Sequence, residues 1–310
     1  MTRRDEQARD ALHRHPRDLR RVMATSVYLE YDQQALDAEY NNREKVEDSA
    51  DWISRYAIAS AETRATLECR LDLAYGTHPG ETLDVFPARS APAPVHVFVH
   101  GGYWQRLDKA DSSFVARALQ PAGAAVVVIN YALIPTVDMD ELVRQCRASI
   151  VWVHRNAASF GGDPNRIFVS GHSAGGHLVA MLMSTDWNAF GNLAADVIKA
   201  GCGISGLYDL EPIRLSYLNE VLKLTPEAAR RHGPVHCPPP RSGPLLLTVG
   251  GLEGPEYHRQ TEELAAVWRS RALPCQALDM PKHHHFSILA ELEDPGSMLS
   301  RLLLRQMGFR

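Results

Sequence analysis

From about residue 69 onward, short apolar runs alternate with stretches whose apolar positions recur every three or four residues. The runs predict strands at Cys69–Tyr75, Thr82–Phe86, Val95–Val99, Ala125–Asn130, Arg166–Ser170, Lys199–Ile204, Leu245–Val249 and Gln276–Met280. Val95–Val99, Ala125–Asn130 and Leu245–Val249 are almost wholly apolar, as in strands buried on both faces. The helical spacing predicts helices at Ser112–Leu119, Met139–Asn156, Ala174–Ser184, Glu256–Arg271 and Ser287–Arg305. Alternation of this kind predicts an α/β chain: a mostly parallel, eight-stranded sheet with helices on both faces. Residues 27–68 are polar with helical spacing (Tyr31, Leu36, Tyr40, Trp52, Ile53, Tyr56) and read as a helical cover over the main body. Residues 207–243 break the rhythm with six prolines and short helical pieces. That segment reads either as a small cap or lid over the strand carboxyl ends or as an ordinary long connection.

Composition narrows the class. The 310 residues fit one large α/β domain or two ordinary ones, and the continuous alternation is read as one domain over 27–310. At 45% hydrophobic, the chain can bury a sizeable core. A formal charge of −4, from 33 basic and 37 acidic residues, gives no global field for nucleic acid or an anionic membrane. No apolar run approaches membrane-spanning length. Seven arginines fall in the first 21 residues, but Asp5, Glu6, Asp10 and Asp18 are interspersed and no apolar core follows. Residues 1–26 are therefore expected to be a flexible leader rather than a secretory or transit signal. The five cysteines are widely spaced without a C-x-x-C, which points to reduced cysteines and a cytoplasmic location.

The chemistry begins at Gly171-His172-Ser173-Ala174-Gly175, set between an apolar strand and an apolar helix. G-x-S-x-G in that context is a nucleophile elbow, a strained strand-to-helix turn that lifts the serine hydroxyl clear of the sheet. A serine hydroxyl needs a base, and the base needs an orienting carboxylate. In such folds the partners follow in the order serine, acid, histidine. The acid is sought after the strand ending at Val249, where Glu253 sits in the tight loop Gly250–Glu256. Asp209 and Glu256 are the other candidates. The base is sought after the last strand, at His283, His284 or His285. Spacing alone does not choose among them, although His285 adjoins Phe286 and the closing helix, where packing would lock it. A metal tract is the competing reading of three adjacent histidines, but neighbouring side chains in a loop rarely converge on one ion. After Val95–Val99 comes His100-Gly101-Gly102-Tyr103-Trp104, a variant of the HGGG oxyanion loop of lipases and esterases. The expected oxyanion hole comprises Gly101, which shapes the loop, and the amides of Gly102, Tyr103 and Ala174. Trp104, Tyr131, Tyr208 and Phe286 are expected to line a pocket for an aromatic or apolar ligand.

HGGYW at 100–104, GHSAGGHL at 171–178, SGLYDLEP at 205–212 and GPEYHRQ at 254–260 together resemble the serine-dependent kynurenine formamidase (arylformamidase) branch of the α/β-hydrolases. That branch lies close to the hormone-sensitive-lipase-like carboxylesterases. The resemblance runs from about Tyr31 to the C-terminus. It implies an α/β-hydrolase fold and a cofactor-free, metal-free cytosolic hydrolase that splits the formyl amide of N-formylkynurenine. It also implies Ser173 as nucleophile and, from the His-Phe pair, His285 as base. The acid falls on Glu253, where the family more often has aspartate. The expected partner is a small-molecule substrate, with no nucleic acid and no membrane, and with a homodimer allowed for. The alternative activity is a general carboxylesterase acting on other small aromatic esters or carbamates. A ligand-binding protein that has lost catalysis is the reading from a different class.

Overall fold

The computed structural model describes residues 26–309. The expected leader therefore lies, apart from Ser26, outside the described residues. Eight strands form one sheet: β1 Arg70–Ala74, β2 Thr82–Phe86, β3 Ala93–Val99, β4 Ala125–Ile129, β5 Gly162–His172, β6 Ile198–Ile204, β7 Leu245–Gly250 and β8 Cys275–Met280. Their order is β1-β2-β4-β3-β5-β6-β7-β8. β2 runs antiparallel to β1 and β4, and the remaining pairings are parallel. All eight expected strands are present. The chain leaves β3 toward one sheet edge and leaves β5 toward the other. Loops that part in this way open a crevice at the strand carboxyl ends, the usual binding position in such sheets.

The longer helices are α1 Gln33–Tyr40, α2 Ser49–Thr66, α3 Met139–Asn156, α4 Ala174–Met183, α5 Pro255–Ser270 and α6 Met298–Gln306. Period-two alternation sorts the central strands between two cores. Val95, Val97 and Val99 of β3 join one cluster, with Leu142, Cys146 and Ile150 of α3, Leu178 of α4 and Trp268 of α5. Phe98 of β3 and Phe168 of β5 join the other, with Tyr56 and Ala59 of α2 and Leu299 and Leu303 of α6. Helices thus cover both faces, which is why the central strands are buried along most of their length and mainly apolar. In α3, Asp138 caps the N-terminus by accepting from the Glu141 amide at 2.9 Å. Its buried positions Leu142, Cys146, Ile150 and Val153 fall at helical spacing.

Two expected helices differ in detail. Ser112–Leu119 is a 3-10 turn, Ser113–Val115, followed by the short helix Ala116–Leu119. Ser287–Arg305 is split into the 3-10 segment Ser287–Leu292 and α6. The break falls at Asp294-Pro295-Gly296, where the proline has no amide proton and the Gly296 amide bonds to Asp294 Oδ1 at 2.8 Å. Ile288, Leu292, Leu299 and Leu303 still join the same core, so the apolar spacing runs across the break and conceals it.

The segments flanking the motif-bearing region meet above the sheet. Gln33 Nε2 of α1 donates to the Leu215 carbonyl at 2.9 Å, and the Tyr217 amide donates to Asp37 Oδ1 at 2.7 Å. The 207–243 stretch contains the short helices Glu211–Leu215, Asn219–Leu222 and Pro226–Arg231. Among the described residues, no helix is long and apolar enough to cross a membrane.

Leu303 is buried where α6 docks, whereas Met298 on the same helix is 46% exposed. Leu303→Ala should lower stability by about 2–5 kcal/mol through lost burial and the cavity left behind. Met298→Ala should change it by no more than about 0.5 kcal/mol. Urea unfolding monitored by circular dichroism tests the contrast, and equal shifts for the two variants would contradict the docking described.

Candidate active site

The turn from β5 into α4 is dictated by its glycines. A Cβ on Gly171 would meet the Gly175 carbonyl oxygen at 2.5 Å, and one on Gly175 would run into the Val99 carbonyl oxygen. Only bare backbone lets α4 start so close to β3 and β5. Ser173, caught between these contacts, is held at φ 57°, ψ −120°, and its amide donates to the Ile204 carbonyl at 2.8 Å. A non-glycine residue in that conformation is strained and persists only because its surroundings fix it.

Loops after β7 and β8 bring two side chains to the serine. His285 Nε2 lies 3.1 Å from Ser173 Oγ, and His285 Nδ1 lies 2.7 Å from Glu253 Oε2. The other carboxylate oxygen, Oε1, accepts from the Gly250 amide at 2.7 Å and from the Ser205 hydroxyl. His285 and Glu253 are both shielded from solvent. With a carboxylate at Nδ1, the ring carries its proton there and presents the Nε2 lone pair to the serine hydroxyl. Such a chain can accept the hydroxyl proton and stabilise the resulting imidazolium.

The other candidate acids face elsewhere. Asp209 Oδ2 accepts from the Tyr28 hydroxyl at 2.7 Å and from Arg259 at 3.2 Å. Glu256 is engaged by Arg259 at 2.7 Å and by the Tyr40 hydroxyl at 2.9 Å. The three adjacent imidazoles diverge: His283 Nε2 meets Glu291 at 3.2 Å, while His284 packs edge-on to Trp52.

His172 is a residue that the sequence reading passed over. Its Nε2 donates to the His285 carbonyl at 2.8 Å, tying the histidine loop to the elbow. Burial and the neighbouring His285 push its pKa well below the ordinary histidine value, so the ring is neutral. Its only signal in the sequence is its place directly before the serine. Tyr257 also packs against the His285 ring, with centroids 4.9 Å apart.

The loop after β3 is bent by left-handed residues. Gly102 has φ +104°, with Tyr103 and Trp104 at 51° and 60°. A Cβ on Gly101 would lie 2.7 Å from the His172 carbonyl and 3.1 Å from Ser173 Cβ, so this glycine allows the loop to approach the serine. The amides of Gly102 and Tyr103 make no backbone hydrogen bond to a described residue. Several groups hold the loop from behind. His100 bonds to Asn130 Oδ1 at 3.0 Å, and Trp104 Nε1 donates to His177 Nδ1 at 3.2 Å. His177 in turn donates from Nε2 to the His232 carbonyl at 2.7 Å, and burial lowers its pKa to about 3. The Tyr103 hydroxyl donates to the Tyr40 carbonyl at 2.7 Å, which pins the loop to the N-terminal cover.

A cavity of about 400 Å³ opens over Ser173. Its apolar walls include Ile53 and Tyr56 of α2, Phe98, Phe114, Phe286 and Leu289. Phe286 is therefore where it was expected, but Trp104, Tyr131 and Tyr208 are not pocket residues. Trp104 is fully buried behind the oxyanion-type loop. Tyr131 stacks on His100 and donates to its carbonyl at 2.8 Å. Tyr208 lies under β6 against Gly203 and Gly206. Nearness to the motif in sequence did not tell which aromatics face the crevice. The wall residues come instead from the second core face, where Phe98 occupies the alternate position of β3.

The BD-FAE family profile matches residues 83–210, the stretch from β2 to the loop after β6. Kynurenine formamidase of Danio rerio is 36% identical over 272 residues, covering 84% of this chain and 91% of that protein. Kynurenine formamidase of Salmo salar is 36% identical, covering 79% of this chain and 84% of that protein. A crystal structure from Silicibacter sp. TM1040, put forward as a thioesterase, superposes with a TM-score of 0.75 at 31% identity. That superposition covers 86% of this chain and 98% of the other. With such identity held over nearly the whole length of its relatives, this chain is a hydrolase that belongs to the kynurenine formamidase family of the α/β-hydrolases.

Proposed function

We propose that this protein hydrolyses a small aryl formamide of the N-formylkynurenine type, with short-chain aryl esters as secondary substrates, through Ser173, His285 and Glu253. One observation carries the proposal: a single imidazole spans Ser173 Oγ at 3.1 Å and Glu253 Oε2 at 2.7 Å. Ser173 Oγ attacks the formyl carbon while its proton passes to His285 Nε2. The carbonyl π electrons move to oxygen. The amides of Gly102, Tyr103 and Ala174 are the donors assigned to that oxyanion, each worth about 3 kcal/mol in a dry site. Glu253 keeps the Nδ1 proton in place and stabilises the imidazolium. The tetrahedral intermediate collapses with cleavage of the C–N bond, and the Nε2 proton goes to the departing aryl amine. Water then adds to the formyl-serine, gives a proton to His285 and releases formate and the free serine.

The apolar walls favour an aromatic leaving part. Formamide cleavage depends more on the proton from His285 than ester cleavage does, because an amine leaves poorly unless protonated. The names of the relatives support the formamide over the ester.

Ser173→Ala should reduce kcat on N-formylkynurenine by at least about 10⁴-fold while leaving the thermal midpoint near that of the parent. Substantial residual turnover would remove the serine mechanism. Glu253→Gln should lower kcat by roughly 10³–10⁴-fold, because the amide leaves the wrong tautomer on His285. Glu253→Asp should retain more activity than Glu253→Gln. Stopped kinetics on both variants checks this, and a Gln variant as fast as the parent would point to another acid. In the parent, kcat/KM on N-formylkynurenine should exceed that on p-nitrophenyl butyrate. Poor formamide turnover with good butyrate turnover would replace the formamidase reading with that of a general carboxylesterase.

A further inference from the structure

The cavity is not uniformly apolar. Three segments far apart in sequence each bring a charged side chain to its wall: Arg43 from the short helix Asn42–Lys45, Arg106 from the loop after β3, and Glu220 from the short helix Asn219–Leu222. None of the three forms an ion pair with a described residue. The neighbouring charges differ in this respect: Arg214 is engaged by Glu211, Lys45 by Glu39 and Arg259 by Glu256. Asp111, also on the wall, is occupied in a capping contact with the Asp108 amide at 3.2 Å. Gln105, between the oxyanion-type loop and Arg106, carries a buried Nε2 that finds no partner among the described residues. Unengaged charges of both signs on an apolar cavity wall, together with an orphaned amide donor, suit a ligand that supplies the counter-charges.

We infer that Arg43 and Arg106 bind a carboxylate, and Glu220 an ammonium, on the leaving part of the substrate, so that the site selects zwitterionic aryl amino acids over neutral aryl compounds of the same size. This rests on the serine-hydrolase reading above and deepens it. The aromatic ring lies between Tyr56, Phe98, Phe114 and Phe286. The α-amino acid group reaches the charged wall, and Gln105 donates to a carbonyl oxygen along the way. Arg43 and Arg106 are both exposed, so their attraction for a carboxylate is partly screened and weakens with added salt.

The test compares two esters with the same reacting group: O-acetyl-L-tyrosine, which carries the amino acid, and 4-methylphenyl acetate, which does not. The parent should favour O-acetyl-L-tyrosine by about fivefold to tenfold in kcat/KM, the order expected of two exposed ion pairs. The preference should lie mainly in KM and shrink as sodium chloride rises from about 20 to 500 mM. The double variant Arg43→Gln, Arg106→Gln should bring the ratio near one. Glu220→Gln should reduce the ratio for O-acetyl-L-tyrosine but not for 3-(4-acetoxyphenyl)propanoate, which lacks the ammonium. A ratio that is the same in parent and double variant overturns the inference, even if formamide turnover is strong. An ester ratio that collapses as expected supports it, even if N-formylkynurenine is turned over poorly and the formamide reading falls.

Discussion

The structure depends on a crowded crossing at the carboxyl end of the sheet. β3, β5 and the start of α4 pass so close that Gly171 and Gly175 have no room for a Cβ. The turn between them can be completed only with Ser173 in the left-handed region, at φ 57°. This contact places the hydroxyl above the sheet and opens the first amides of α4 beside it. It also sets the loop after β3 against the same point, since Gly101 must let the His172 carbonyl and Ser173 approach. The strain at Ser173 is held by two well-packed cores, one on each side of the sheet.

Around that crossing, the remaining groups are positioned by second partners. Glu253 does not hang free from its loop, because its second oxygen is held by the Gly250 amide and the Ser205 hydroxyl. His285 is gripped through its backbone by His172 and flanked by Tyr257. The loop after β3 is fastened to α1 through Tyr103 and to α4 through Trp104 and His177. The contacts of His172 with the His285 carbonyl and of Trp104 with His177 are buried, which strengthens them and raises the cost of any unpaired member. The N-terminal helices and the proline-containing 207–243 stretch, both outside the central sheet, supply part of the cavity wall.

The sheet was legible because its signal is local: eight apolar runs, each bounded by turn residues, correspond to eight strands. The order of the motifs along the chain was legible too, since strand carboxyl ends in a parallel sheet all point to one rim. Two kinds of feature were not. The single helix expected at Ser287–Arg305 concealed a break, because the apolar spacing continues across Pro295 even though the backbone hydrogen bonds do not. The pocket aromatics were mostly misplaced, because Trp104, Tyr131 and Tyr208 lie near the motifs in sequence but point into the protein. The cavity walls come from Ile53, Tyr56 and Phe114, whose side chains meet only through long-range packing. His172 and Ser205 were invisible for the same reason: what they support is set by tertiary contacts and not by any spacing in the chain.

The central claim is that Ser173 Oγ is the atom that bonds to the substrate carbonyl. Treating the protein with a fluorophosphonate and identifying the modified peptide by mass spectrometry tests it most directly. The account predicts one adduct per chain, on Ser173, forming in step with the loss of hydrolysis. Complete loss of hydrolysis with the adduct on another residue, or full hydrolysis with Ser173 quantitatively modified, would contradict it.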